Sequence, residues 1–310
     1  MALFTEAFLT ALLAGAISAG IPLLLVGIGE QMSEKSGVLN IGIEGMMLAG
    51  AYTGFLIAWK CESMGLGFIA GAAGGMFVAL FMAVLCVRMG LNQIVIGISL
   101  TLCAEGATAI LHHFQFSRTY PRLPATLKWD IPVLHDIPVV GPALFGREPV
   151  VYFALLLVAV FAYLYRRTHF GLALQAAGDK PAALDSSGVD VIKVRTVAVL
   201  TTGALAGLGG AFMAIVGAGI FVPFMTHGNG FIGIVLAMLA RGRPLWVLGG
   251  ATLFGACLSL TTALQVAGID IPTDVIQMLP FAAVMGVLVV LGSKANLPVS
   301  LGTAYARGER

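Results

Sequence analysis

Charge is scarce in this 310-residue sequence. Only 10% of its residues are Asp, Glu, Lys or Arg, whereas 59% are hydrophobic and the mean hydropathy is +0.98. A soluble domain has about 25% charged residues, because it must cover its surface with groups that water solvates. The shortage therefore excludes a soluble fold. The net charge of +2 provides no strong field for a nucleic acid, so no nucleic-acid partner is expected.

The motifs of common enzymes and metal sites are missing as well. Cys61, Cys86, Cys103 and Cys257 form no CxxC or CxxH pattern, so neither a disulfide framework nor a metal site is predicted. The sequence contains no GxxxxGK[ST] phosphate loop, no HExxH and no GxSxG. We therefore predict no catalytic residues and no cofactor. Any transport must draw its energy from an ion gradient or from another subunit.

Long apolar runs fill most of the chain. About 20 apolar residues span a bilayer. Nine segments qualify as candidate spans: 8–29, 38–59, 66–87, 93–113, 149–166, 196–220, 228–240, 244–267 and 275–292. We predict an all-α polytopic membrane protein, a single transmembrane domain over 1–310 with about nine helices (8–10). The short, glycine-interrupted segment 228–240 is predicted to be a half-helix or a re-entrant piece.

Basic residues orient these helices, because loops rich in Lys and Arg stay in the cytoplasm. The connection 166–195 holds five basic residues and is therefore predicted to be cytoplasmic. Alternating the spans outward from it places 12 of the 17 Lys and Arg residues inside. The N-terminus then lies outside and the C-terminus in the cytoplasm. The outer loop 114–148, rich in proline and aromatic residues, suits either a docking surface or an ordered cap over the helix ends.

Glycines recur at intervals of four residues. Gly67, Gly71 and Gly75 form one such series, and Gly203 and Gly207 form another. This spacing allows helix backbones to approach closely in a bilayer. It predicts a packed bundle.

Ionisable residues inside spans are costly in lipid and are functional candidates. Glu44 could line a pathway or bond the freed amides of a broken helix. Alternatively, its carboxyl is held by a neighbouring helix or reached by cytoplasmic water. Glu105 lies midway along the fourth span, in a structural or a functional role. Asn92 and Gln93 form either a polar gate or a helix start with Asn92 as its cap.

Glycines interrupt two apolar segments, one in each half of the chain. They flank Glu44 and recur at 228–233. In transporters, paired interruptions often mark the binding site, because unwound backbone supplies polar groups near the midplane. Glycines used for helix packing would give the same pattern. The candidate pathway residues are Asn40, Glu44, Asn92, Gln93, Asn229 and Phe231.

The connection 166–195 carries signals for a short helix. Pro181 can start a helix and Gly188 can end it. A helix of about seven residues is unstable alone in water. Such a helix is typical of a segment that a partner protein grips, and the alternative is a simple connecting loop.

Three stretches resemble the permease subunits of ATP-binding cassette (ABC) importers for branched-chain amino acids, simple sugars and nucleosides. They are Ser36–Tyr52 (SGVLNIGIEGMMLAGAY), Asn92–Ile98 (NQIVIGI), and the connection 166–195 with the following Leu205–Ala211 (LAGLGGA). The match is strongest to the nucleoside branch and to the shorter of its two permeases. The resemblance implies a bacterial cytoplasmic (inner) membrane protein with four kinds of partner: a second, longer permease, a cytoplasmic ABC ATPase, an extracellular or periplasmic solute-binding protein, and the lipid bilayer.

The resemblance also makes the connection 166–195 a coupling loop that docks on the ATPase. Its candidate coupling residues are Gly178, Asp179, Pro181, Ala182, Ala183 and Gly188. The family commonly has Glu at the position of Ala182, Asn at that of Lys180 and a basic residue at that of Asn229. The expected function is import of nucleosides, purines or a simple sugar. The alternative from the residues alone is a proton-coupled secondary transporter that uses Glu44 or Glu105.

Overall fold

The computed structural model describes residues 6–126, 128–130, 137–266 and 297–306, together with Met278, Ala282, Met285, Gly286 and Val289. The helices in these ranges are α1 (Glu6–Lys35), α2 (Ile43–Cys61), α3 (Met64–Met82), α4 (Gln93–Phe116), α5 (Pro149–Arg167), α6 (His169–Asp179), α7 (Pro181–Ser186), α8 (Val191–Phe212), α9 (Asn229–Leu239) and α10 (Pro244–Val266). Short π-helical turns continue α3 over Ala83–Arg88 and α8 over Met213–Ala218. Apart from the isolated positions, the predicted span 275–292 lies outside the described residues, as do Lys294, Arg307 and Arg310.

Five of the described helices are long and apolar enough to cross a membrane. They are α1, α4, α5, and α3 and α8 together with their π-helical turns. α2 and α10 add two apolar helices of 19 and 23 residues. The predicted all-α polytopic class is therefore confirmed. The count of nine spans and the orientation stay predictions.

The second predicted span begins later than expected. Its helix starts at Ile43 instead of residue 38. The chain turns at Gly37, whose φ of +90° suits glycine, and has no helical structure from there to Gly42. Asn40 therefore lies in the irregular segment, and Glu44 is the second residue of α2. The segment 228–240 contains an 11-residue helix, α9, too short to cross a bilayer by itself.

Close packing at the centre of the bundle requires glycine at several helix contacts. A Cβ atom on Gly75 would collide with the carbonyl of Gly203, and one on Gly50 would collide with the backbone of Gly207. A Cβ atom on Gly71 would lie 3.0 Å from the carbonyl oxygen of Gly50. α2, α3 and α8 thus touch backbone to backbone, and the predicted close packing is confirmed.

The loop between α4 and α5 is tied to α1 in its described part. Trp129–Asp130 (β1) pairs antiparallel with Gly146–Arg147 (β2). The side chain of Arg147 donates from Nε to the carbonyl of Ala143 at 2.7 Å and from Nη1 to the hydroxyl of Ser18 at 3.1 Å. Burial lowers the pKa of this guanidinium. These contacts favour an ordered cap over the helix ends.

Candidate functional site

The carboxyl group of Glu44 joins the two glycine-interrupted segments. Its Oε1 accepts hydrogen bonds from the backbone nitrogen of Gly228 at 2.8 Å and from the hydroxyl of Thr226 at 2.5 Å. Its Oε2 accepts from the backbone nitrogen of Gly230 at 2.6 Å. These contacts fit two of the interpretations of Glu44: a carboxyl that bonds freed backbone amides, and a carboxyl held by a neighbouring helix.

These bonds cap the N-terminus of α9. The first amides of a helix lack partners within the helix, and their aligned dipoles favour a negative group there. A buried polar group costs free energy unless it is bonded, and Glu44 is 3% exposed. Since three donors meet one carboxyl, an ionised carboxylate, which only accepts, matches all of them. Thr226 gave no sequence signal, because its partner lies 182 positions away.

Glycine at 230 is required by this contact. A Cβ atom there would lie 2.6 Å from Oε2 of Glu44 and 2.7 Å from its Cα. Real Cβ atoms essentially never come that close to other heavy atoms. The N-termini of α2 and α9 therefore meet with no space between them.

Asn229 lies between the two glycines that Glu44 holds, and it lines a cavity of about 560 Å³. The first half of α1, the end of α8, the segment before α9 and α10 enclose this cavity. Its polar side chains are Ser18, His227, Asn229 and Ser259. The volume falls in the range of small-molecule sites. Glu44 itself does not line the cavity but bonds the amides on both sides of a residue that does.

Asn40, predicted in the pathway, lies fully buried beside α1. Its backbone nitrogen donates to Oε1 of Glu30 at 3.1 Å, and its Nδ2 lies 3.3 Å from the sulfur of Met46. It does not line the 560 Å³ cavity. In this structure its contacts hold the irregular segment before α2 against the bundle.

Asn92 and Gln93 have different roles. Oδ1 of Asn92 accepts from the backbone nitrogens of Ile94 and Val95 at 2.9 and 3.1 Å, so the side chain is the N-cap of α4 and the cap interpretation is confirmed. Gln93 is buried, and its Oε1 accepts from the backbone nitrogen of Leu39 at 2.8 Å. Gln93 thus binds the irregular segment that precedes Glu44.

Two other predicted residues stand apart from the cavity. Phe231 is half exposed and does not contribute to its wall. Glu105 is half buried in the middle of α4, and no described group bonds to its carboxyl. The structure therefore brings together Glu44 and Asn229 from the predicted pathway set, with Asn40 and Gln93 supporting the segment next to Glu44.

The predicted coupling helix is present as α7. Pro181 is its first residue, and Gly188 follows its end with a φ of +89°. Leu184 is buried and anchors α7 to the bundle, whereas Ala182 and Ala183 are exposed. Asp190 then caps α8 by accepting from the nitrogen of Lys193 at 3.1 Å, and this bond lowers the pKa of Asp190. Gly178 and Asp179 end α6, with Gly178 buried.

Comparison with known proteins identifies relatives along nearly the whole chain. The family model for the permease component of branched-chain amino acid transport systems matches residues 12–291. TsgC13 of Haloferax volcanii, a glucose ABC transporter permease protein by provisional assignment, is 36% identical over 91% of this chain and 85% of its own. The guanosine ABC transporter permease protein NupQ of Bacillus subtilis is 31% identical over 93% of this chain and 94% of its own. The nucleoside ABC transporter permease protein NupC of Lactococcus lactis is 30% identical, with the same two shares covered.

Proposed function

The chain belongs to the family of branched-chain amino acid transport system permeases, and on that premise we propose that it imports nucleosides, purines or a simple sugar. Members of this family are the membrane subunits of ABC transporters, and the ATPase is a separate subunit. The chain is accordingly a multi-pass membrane permease without an ATPase site of its own. The proposal places the chain in a bacterial cytoplasmic membrane, where it receives its solute from a solute-binding protein outside the membrane.

The observation that carries the proposal is the contact of Glu44 with the amides on both sides of Asn229. The carboxylate fixes the N-terminus of α9, and α9 presents Asn229 to the cavity. An amide side chain both donates and accepts hydrogen bonds, as do nucleobases and sugars. We assign Asn229 to solute contact and Glu44 to positioning Asn229.

The names of the relatives support the solute class. One is a guanosine permease protein, one a nucleoside permease protein, and one carries a glucose assignment. These solutes share ring hydroxyls and lack a strong net charge. The wall of the 560 Å³ cavity fits them, because among its described residues it contains no Asp, Glu, Lys or Arg.

A second permease is part of the proposal. α4 is the least buried of the five long apolar helices, with 22% of its apolar window buried. The half-buried Glu105 lies within it, and a carboxyl facing lipid is costly. A neighbouring permease packed on this side would shield Glu105 and enclose the pathway.

Uptake by reconstituted complexes tests the proposal. The chain is co-purified with a second permease, the ATPase and the solute-binding protein, and labelled guanosine and glucose are offered to proteoliposomes. We expect ATP-dependent uptake of at least one solute, with Asn229→Ala altering the KM. Uptake by this chain alone that collapses with the proton gradient would support the secondary transporter instead. A change in maximal rate without a change in KM would remove Asn229 from the solute site.

A further inference from the structure

The residues 297–306, which we term the C-terminal segment, bind the turn at Gly37 and the end of α6, just before the coupling helix α7. The backbone nitrogen of Ser300 donates to the carbonyl of Gly178 at 2.8 Å. The nitrogen of Gly302 donates to the carbonyl of Gly37 at 3.0 Å. Gly178 lies at the end of α6, three positions before α7 begins. The C-terminal segment is therefore attached to the helix that leads directly into α7.

Arg195 strengthens this joint from inside the bundle. It lies in the second turn of α8 and is 2% exposed. Its Nη1 donates to the carbonyl of Thr303 at 2.8 Å, and its Nη2 donates to the carbonyl of Ala177 at 3.1 Å. One guanidinium thus bonds the C-terminal segment and the end of α6 together. The last carbonyls of a helix favour a cation, which suits Arg195 beside Ala177.

Little free space separates these elements. A Cβ atom on Gly178 would collide with the carbonyl of Lys35 and lie 3.0 Å from Cβ of Pro298. One on Gly37 would lie 2.8 Å from Nη2 of Arg195 and 3.2 Å from the carbonyl oxygen of Ser300. Because backbone atoms of Lys35, Gly178 and Ser300 meet here in close contact, we expect a displacement of α6 and α7 to move the C-terminal segment as well.

The C-terminal segment exposes two large apolar side chains. Val299 is 85% exposed and Leu297 is 44% exposed. They adjoin the end of the bundle that bears α7, where Ala182 and Ala183 are exposed as well. A polar pocket lined by Glu34, Lys35 and Asp179, among others, borders Leu297 and Pro298 on the same side. The exposed Val299, Ala182 and Ala183 suit the core of a protein interface, which is depleted of charged residues, and the polar pocket suits its rim.

We propose that the C-terminal segment is a second part of the surface that contacts the ATPase, and that Arg195 is the positioning residue that keeps it in register with α7. This inference rests on the proposed function, which makes α7 the coupling helix. The ATPase is the occupant because the segment is bonded to the end of α6, three positions before that helix begins. Movement of the ATPase would then act on α1, α6 and α8 through one rigid joint.

Photo-cross-linking in the assembled importer tests the surface. Benzoylphenylalanine is placed at Val299, at Ala182 and, as a control, at Ala7 in the exposed first turn of α1. We expect cross-links to the ATPase from positions 299 and 182 but not from position 7. Cross-linking from 182 alone would overturn this inference and leave the coupling assignment of α7 intact. No cross-link from either position would overturn both.

Substitutions at Arg195 test the positioning role. Arg195→Met removes both hydrogen bonds, and we expect the ATP hydrolysed per solute imported to rise at least about tenfold, with the cross-link from Val299 lost. Arg195→Lys keeps a cation and should restore part of the coupling. If transport and protein level fell in equal proportion and the ratio of ATP to solute were unchanged, Arg195 would be structural only.

Val299→Asp tests the same surface without changing the buried contacts of Arg195. The side chain is exposed, so the level of the protein in the membrane should stay the same. We expect solute uptake to fall at least about tenfold, because a charge would be placed in the core of the interface. Wild-type uptake by Val299→Asp would overturn the proposed surface.

Discussion

Oε2 of Glu44 lies 2.6 Å from the backbone nitrogen of Gly230, 186 positions further along the chain. The side chain of the second residue of α2 thus caps the first turn of α9. Glu44 is the point at which two interrupted segments from opposite halves of the sequence become one structural unit. The contact also brings Asn229 to the wall of the 560 Å³ cavity.

Glu44→Gln should impair transport more than it impairs protein level. The Gln side chain offers one acceptor oxygen, so its amide nitrogen would face at least one of the donors at Thr226, Gly228 and Gly230. A lost hydrogen bond to a charged group costs about 1.5–3 kcal/mol, which here would loosen the start of α9. Initial uptake rates, normalised to the membrane level by immunoblot, measure the effect. Thr226→Ser keeps the hydroxyl and serves as the near-neutral control. Equal losses of uptake and level would contradict the positioning role.

Gly230→Ala should destabilise the contact between α2 and α9. The added Cβ atom would lie within 2.8 Å of three atoms of Glu44, so α9 must shift. Overpacking of this kind costs about 1–3 kcal/mol. Gly249→Ala in α10 is the matched control, since no described atom lies within 4 Å of its added Cβ. Thermal unfolding of the purified proteins compares them, and equal melting temperatures would argue against the close contact.

Asn92 should behave as a helix cap and not as a gate. Asn92→Ala should cost about 1 kcal/mol of stability, whereas Asn92→Asp and Asn92→Ser keep an acceptor for the first amides of α4. We expect Asn92→Asp to transport at nearly the wild-type rate. A polar gate would respond to the added negative charge, so a large loss of uptake at normal stability would support that reading.

Ala183→Trp should block coupling without affecting insertion. Ala183 is exposed on α7, and an indole there would separate the helix from a docked ATPase. We expect ATP-driven uptake to fall at least about tenfold, since the core of an interface is closely packed. Ala7→Trp, at the exposed start of α1, is the control. A bulky residue at Gly188 is a less selective test, because its φ of +89° would also strain the backbone. Full uptake by Ala183→Trp would remove α7 from the coupling surface.

Two glycines of α3 allow a matched test of helix packing. Gly71→Ala would place its Cβ atom 2.5 Å from Cβ of Ala211 in α8 and 3.0 Å from the carbonyl oxygen of Gly50, whereas no described atom lies within 4 Å of a Cβ atom on Gly65. We expect Gly71→Ala to lower stability by about 1–3 kcal/mol and Gly65→Ala to have little effect. Melting temperatures in detergent report the difference. Two equal values would show that α3 tolerates a wider separation from α2 and α8.

Local signals explain what could be predicted at the coupling loop. Pro181 has its φ preset for a first helical turn, and Gly188 readily adopts the positive φ that follows the last one. Both signals depend on the residue itself, and both are observed at the ends of α7. The predicted start of the second span at residue 38 differs from the start of α2 at Ile43, because an apolar run does not distinguish helix from buried irregular backbone. In that backbone, the amide of Leu39 donates to the side chain of Gln93 and the amide of Asn40 donates to the side chain of Glu30.

The sequence by itself determined the class of the protein, the position of most apolar helices and the short helix α7, because length, hydropathy and backbone preference are local properties. It also marked Glu44 as a costly group in an apolar segment. Only the tertiary structure decided that Glu44 bonds the amides of Gly228 and Gly230, and that Arg195 bonds the carbonyls of Ala177 and Thr303. In both cases the partners are backbone atoms. Every residue other than proline carries the same amide and carbonyl groups, so no side-chain pattern identifies which of them a distant charge will meet.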